Sequence, residues 1–456
     1  MNSKYTIDMT SGPFLKKILR FSVPLMFTGL LQLAYNTADT AIVGRFVGKQ
    51  ALAAVGSTGS LVNLFVSLFT GMSIGAGIVA ARHIGEKDAR AQYECVHTAM
   101  LLSIVSGVGI GIIGMSACSL MLRLMNAPAD VMPLATRYLR IYFAGSPAMM
   151  VYNFGASIIR SNGDTKRPLI ILGVSGFINV LLNILFVIGL HMGVEGVAIP
   201  TIISQVLSAA AVVIYLCRFK GDCRLYISKL RFYAAELKEI LRLGVPAGLQ
   251  SALFSVSNVI IQSNVNSFGS SAMASISAGS NFDGYIYVCC NAVSQATMTF
   301  TSQNIGAKKY ENIGRVYRLC LTVAICTGAV LSTVGYILAY RITGLFSKDS
   351  QVIELAVQRM RFIMPFFTFC PLLDVAACQL RGMGRSFEPM FVSLLGACGI
   401  RLFWVFFILP LNRTLMFLYI SYPLSWVVTF FVQFALYFVF RRKLMREAEK
   451  ETMQET

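Results

Sequence analysis

The sequence is short of charge. Asp, Glu, Lys and Arg make up 13% of its 456 residues, about half of what a soluble globular chain carries, which excludes a set of ordinary water-facing domains. Histidine is scarcer still, at three residues, and the 11 cysteines include no C-x-x-C pair. A zinc centre or a disulfide framework therefore lacks ligands at the spacing it needs. Cys289 and Cys290 are adjacent, which does not suit an ordinary bridge between them, and the thiols read as small buried apolar groups. No phosphate-binding G-x-x-x-x-G-K-[ST] loop, no H-E-x-x-H, no D-D-x-x-D and no Ser–His constellation occurs. An ATP site and an embedded enzyme thus lack the residues that would carry them, and no cofactor is expected.

Apolar residues are abundant. They make up 56% of the chain, the mean hydropathy is +0.66, and they come in blocks of roughly 20, the length that crosses a ~30 Å hydrocarbon layer. The pattern predicts an all-α polytopic membrane protein with twelve spans, at about 17–45, 51–81, 93–120, 133–159, 168–190, 194–217, 239–267, 272–302, 316–340, 354–380, 388–410 and 414–440. The first block, from near Phe21, runs too long for the apolar region of a cleavable leader and lacks its cleavage site. Before it, "TSGPFLKKILR" reads as a short amphipathic helix on the membrane surface. The net charge of +18 would suggest nucleic acid in a soluble chain, but its distribution excludes that partner. Most of the 39 Lys and Arg lie at the two ends or after spans 2, 4, 6, 8 and 10, and the loops after spans 5 and 7 hold none. This bias places both ends in the cytoplasm and the chain in the cytoplasmic (plasma) membrane.

The chain is also written twice. "LKKILRFSVP" at 15–24 returns as "LKEILRLGVP" at 237–246, "HIGEKD" at 83–88 as "NIGAKK" at 304–309, and "RSNGDTKRP" at 160–168 as "RGMGRSFEP" at 381–389. The first offset is 222 residues and the other two are 221. Each copy holds six spans, so the two six-helix repeats are parallel, and the expected lobes are 1–220 and 221–456. Repeats of this kind are used by transporters whose two halves rock against each other.

Polar residues inside the spans are few and costly. Asp39, in "AYNTADTAIVGRFVG", has no Lys or Arg one turn away on its own helix, so it can exchange a proton or hold a hard cation such as Na⁺, or else serve packing as a hydrogen-bonded neutral acid. "GFINVLLNILF" puts Asn179 and Asn183 four residues apart on one helix face, and Thr201 follows Pro200 in the next span. Their neutral oxygens suit a cation, or they glue helices together. In the second copy, Asp283 and Asp374 either line a substrate cavity or pair with an arginine such as Arg401. Gly71 and Gly75 form a small-x-x-x-small face for close helix packing.

Together, "NTADTAIVGRFVGKQALAAVG" (36–56), "GMSIGAGIVAARHIGEKD" (71–88), "RSNGDTKRP" (160–168) and their repeats resemble the multidrug and toxic compound extrusion (MATE) family over roughly residues 13–440. The resemblance implies two six-helix lobes around a cleft, and export of organic cations or amphipathic drugs in exchange for H⁺ or Na⁺. The working unit would be a monomer in contact with lipid. It further implies a first-lobe cation site of a helix 1 Asp, an N-x-x-x-D pair in helix 5 and a helix 6 Thr, which Asp39, Asn179 and Thr201 match. Asn183 departs from it, standing where the family usually has Asp, which lowers the site's negative charge and favours H⁺ over Na⁺. The helix 7 Glu of some relatives is absent. A lipid or lipid-linked oligosaccharide flippase of the same superfamily is the alternative.

Overall fold

Helices account for the architecture because each apolar block, once inside lipid, must satisfy its own backbone N–H and C=O groups. The computed structural model describes residues 6–124, 131–346 and 349–455. The first copy comprises α1 (Phe14–Ile42, continued by a π-helical turn at Val43–Val47), α2 (Lys49–Glu86), α3 (Ala89–Leu124), α4 (Met132–Ala144 and Ser146–Ser161), α5 (Lys166–Ile184, continued by a π-helical turn at Leu185–Gly189) and α6 (Glu195–Cys217). The second comprises α7 (Ala234–Asn266), α8 (Ser270–Gly306), α9 (Tyr310–Ile337), α10 (Ser350–Phe367 and Phe369–Gly382), α11 (Phe387–Leu411) and α12 (Leu415–Glu455). No strand occurs among the described residues. The protein is an all-α membrane protein of twelve spanning helices in two six-helix repeats.

Ten of these helical passes are long and apolar enough to cross a membrane on composition alone. The other two have local reasons. In α4 the helix is interrupted at Gly145, just before Pro147, and α8 carries Asn281, Asp283, Asn291 and Gln295 along its length. The expected surface helix before the first span is not separate: Phe14 begins α1 itself, and the residues ahead of it are packed down, with Ile7 and Met9 both enclosed.

The repeat extends to backbone detail. Lys87 and Lys308, 221 residues apart, both take the left-handed region (φ 58° and 53°) in the turns that follow α2 and α8, and Gly163 and Gly384 share φ values of 83° and 82°. A glycine suits those last two positions because an L side chain is strained there. The same loops close on an i,i+3 ion pair in each copy, Arg167 to Asp164 at 2.5 Å and Arg385 to Glu388 at 3.3 Å. The charge order is reversed between copies.

Packing groups the chain somewhat differently from a division at 220/221. One unit holds Phe27–Ala252 with the described residues up to Asp8, and the other holds Met9–Met26 with the chain from Leu253 onward. The start of α1 thus belongs to the second unit, where the Phe21 ring meets Phe300 edge-on at 5.8 Å and Asn304 Nδ2 donates to the Met9 carbonyl at 2.9 Å. The start of α7 belongs to the first unit, where Gly244 and Gly248 lie against Gly71 and Met72 of α2.

Within the first unit, α5 shows how a membrane helix inverts the soluble pattern. Val174, Phe177 and Leu181 are exposed, whereas Ser175, Asn179 and Asn183 are enclosed. The apolar face therefore turns outward and the polar face inward. All eleven cysteines are free. Cys223, in the α6–α7 linker, is enclosed beside Asn162 and Gln92, and burial pushes its thiol up to about 11.

Candidate functional site

The polar face of α5 meets α1 because a glycine makes room. Gly176 has no Cβ, and the Tyr35 ring occupies the space one would fill, with its hydroxyl donating to the Gly173 carbonyl at 3.0 Å. One helical turn beyond Tyr35 is Asp39, and one and two turns beyond Gly176 are Asn179 and Asn183. The contact thus sets the carboxylate against the two amides. Asn183 Nδ2 donates to Asp39 Oδ1 at 2.5 Å and reaches Asn179 Oδ1 at 3.3 Å. With the Asn179 amide turned over, its nitrogen lies 3.0 Å from Asp39 Oδ1 and its oxygen accepts from the Thr201 backbone N–H at 3.2 Å. The Thr201 hydroxyl itself donates back to the Val197 carbonyl at 2.9 Å. All four residues singled out in the first copy are therefore brought together, from α1, α5 and α6.

The burial is uneven in an informative way. Asn179 and Asn183 are enclosed, while Asp39 and Thr201 are half-buried. Among the described residues no Lys, Arg or His pairs with Asp39. The Asn183 Oδ1 is sealed from the surface and has no hydrogen-bond partner among the described residues. An enclosed acceptor left unpaired is destabilising unless something donates to it. Beside a carboxylate, a proton or a small cation can satisfy both oxygens.

One turn further along each helix the site is closed by hydrocarbon. Val43 follows Asp39 by four residues, Val187 follows Asn183 by four, and Val197 precedes Thr201 by four. With Ala51 and Val194 these form one enclosed cluster, flanked by Tyr138 and Leu134. In the other direction the α5–α6 contact is hydroxylic, with the Ser208 hydroxyl donating to Ser175 Oγ at 2.7 Å. The sequence gives Asp39 and its partners but not Tyr35 or this valine layer. Their signal is weak, because an aromatic and several valines in apolar helices look like any other packing residues.

The second-copy acids lie elsewhere, in the second unit. Asp283 pairs with Arg359 of α10 at 2.7 Å, with side-chain exposures of 14% and 5%; its partner is not Arg401. Asp374, on the second part of α10, lies beside Tyr287 of α8. Asp283→Asn would leave a buried guanidinium without its counter-charge, which costs about 3–5 kcal/mol. The expected result is a clear fall in the melting temperature of the detergent-solubilised protein, partly recovered when Arg359→Gln is added. An Asp283→Asn single variant as stable as wild type would show that the pair carries no such weight.

Two parallel six-helix repeats, with polar side chains gathered between membrane helices, define a membrane transporter. A family model described as MatE matches the chain twice, at residues 24–185 and 246–407; the chain belongs to the MatE family. Over 433 residues it is 26% identical to a protein described as "Probable multidrug resistance protein YoeA" from Bacillus subtilis (strain 168), covering 93% of each chain. It is 27% identical over 398 residues to "Probable multidrug resistance protein YpnP" of the same organism, covering 87% of this chain and 88% of the relative. Among solved structures, an outward-facing multidrug resistance MATE family transporter of the MOP superfamily superposes with a TM-score of 0.89 at 22% identity. That superposition covers 98% of this chain and 100% of the other, and it bears on the fold alone.

Proposed function

We propose that this protein is a secondary antiporter that exports organic cations or amphipathic drugs across the cytoplasmic membrane, both termini inside, with H⁺ as the counter-ion. The observation that carries the reading is Asp39 without a basic partner, hydrogen-bonded by Asn183, whose own Oδ1 is enclosed and unpaired. Relatives described as multidrug resistance proteins support the drug class. The lipid-flippase alternative has no such support.

The coupling follows from hydrogen-bond polarity. A carboxylate only accepts, so Asn183 turns its Nδ2 toward Asp39. Once protonated, Asp39 carries an O–H donor, and the nearest unsatisfied acceptor is Asn183 Oδ1. The Asn183 amide then reverses, and Asn179 and the Thr201 N–H adjust with it. One proton thereby changes the bonding among α1, α5 and α6. A ligand can shift a conformational equilibrium only by binding the two states differently, and this reversal supplies that difference. Asn183 removes the second carboxylate that the family pattern would place there, which favours a proton over Na⁺.

The test is transport of a panel of cationic dyes in proteoliposomes, with a pH gradient and a Na⁺ gradient imposed in separate experiments. Dye flux should follow the pH gradient. Flux that follows only Na⁺ would overturn the ion assignment, and flux with neither would overturn antiport.

A further inference from the structure

The second unit contains a cation that its own fold leaves unanswered. Arg401, on α11, is 6% exposed. Placing an arginine within a membrane helix is expensive unless it faces a partner or a cavity. Among the described residues, no Asp or Glu lies within ion-pair distance of it; Asp283 is taken by Arg359. What holds Arg401 is α12. Ser425 Oγ accepts from its Nε at 2.8 Å, and the rings of Tyr422 and Trp426 stand 4.6 and 5.6 Å from its guanidinium carbon. These contacts fix the side chain through Nε and the ring faces. Among the described residues the two terminal nitrogens have no hydrogen-bond partner, and neither is among the sealed polar atoms.

A guanidinium anchored in this way keeps a pair of terminal N–H donors for a planar two-oxygen group. The Trp426 and Tyr422 rings beside it suit an aromatic body attached to that group. The internal repeat adds a second argument. The two matched segments begin 222 residues apart, and the loop motifs are 221 apart. Arg401 therefore falls within one residue of the register of Asn179, and Tyr422 within one of Thr201. The second copy puts a fixed cation where the first puts a neutral amide beside a carboxylate.

We propose that Arg401, Ser425, Tyr422 and Trp426 form an anion site for the carboxylate of aromatic compounds, giving the protein zwitterionic and acidic substrates besides cationic ones. Its meaning for export rests on the transport reading above; binding at the site does not.

The chain has only two tryptophans: Trp426 in this site, and Trp404, which packs on Phe417. Trp404→Phe leaves Trp426 as the sole indole, so its fluorescence reports directly on the proposed pocket. Titrating that variant with benzoate should give a saturable change. Trimethylphenylammonium, the same ring with a positive charge, should give none, and adding Arg401→Gln should abolish the benzoate response. No saturable change, an equal response to both ions, or a response surviving Arg401→Gln overturns the site. In proteoliposomes, a xanthene dye supplied as the free carboxylate and as its ethyl ester completes the test. Arg401→Gln should lower the acid-to-ester transport ratio about tenfold, with Arg401→Lys, which keeps the charge but not the fork, in between; an unchanged ratio overturns the proposal. Asp39→Asn separates the two readings, because it should stop gradient-driven flux of both dyes and leave the benzoate signal intact.

Discussion

Asp39→Asn should abolish uphill export while leaving a folded, inserted protein. A gradient of one pH unit stores about 1.4 kcal/mol per proton, enough to support about tenfold accumulation of a monovalent substrate in one-for-one exchange. Coupling requires a group whose charge changes as the transporter cycles. Asn has the shape of the protonated acid but is permanently neutral, so the Asn183 hydrogen bond would no longer depend on pH and the accumulation ratio should fall to one. The fold should tolerate the change, because it removes a half-buried charge that has no basic partner and keeps an amide able to bond Asn183. Asp39→Glu retains the carboxylate and should retain part of the flux. Wild-type accumulation by Asp39→Asn in a pH gradient would overturn the proposed role. A collapse in its melting temperature would instead assign Asp39 to structure.

Why Asp39 was legible in the sequence, while much of its setting was not, is a matter of contrast. A carboxylate inside an apolar run stands out because lipid makes it expensive. Asn179, Asn183 and Thr201 stand out less, and the four-residue spacing of the two amides gave them a common face. Tyr35 and Gly176 bring those faces together, yet neither is unusual in a membrane helix; their meaning lies in a contact between residues 141 apart in the chain. The same limit explains the second copy. Sequence offered Arg401 as a partner for Asp283 because both are charges in spans, but the pairing depends on which way each side chain leaves its helix, and Arg359 is the one that meets Asp283. The segment before the first span was amphipathic enough to suggest a surface helix, and sequence alone could not show that it continues without a break into α1. Periodicity and repetition specify the spans, their number and their duplication, because each is a local property. Partners across space are not local.

Glycine packing shows the same division, and it carries the second large effect. The small-x-x-x-small face of Gly71 and Gly75 on α2 was visible, but its partner was not. That partner is a matching pair, Gly244 and Gly248, at the start of α7. A Cβ on Gly71 would run into the Gly248 backbone N and Cα, and one on Gly248 into the Leu68 carbonyl; a Cβ on Gly244 would come within 2.6 Å of Met72 Cα. Each obstacle is backbone, so no side-chain rotation relieves it. The two helices must separate, losing the dispersion and Cα–H···O contacts that hold helices together in lipid, where hydrophobic exclusion contributes little. Gly71→Ala and Gly248→Ala should each cost at least about 1–3 kcal/mol through overpacking, and Gly71→Leu should prevent accumulation of folded protein. Gly59→Ala is the control on the same helix, since among the described residues nothing lies within 4 Å of an added Cβ there; it should be neutral or stabilising by up to about 1 kcal/mol through helix propensity. The pair Gly71→Ala and Gly248→Ala should be strongly non-additive, because the first separation of the backbones makes room for the second methyl. Melting curves of the detergent-solubilised variants decide it. If Gly71→Ala melts with Gly59→Ala, the α2–α7 contact is not close enough to matter. If it melts well below, the leading helix of the second copy is anchored in the first unit through four glycines.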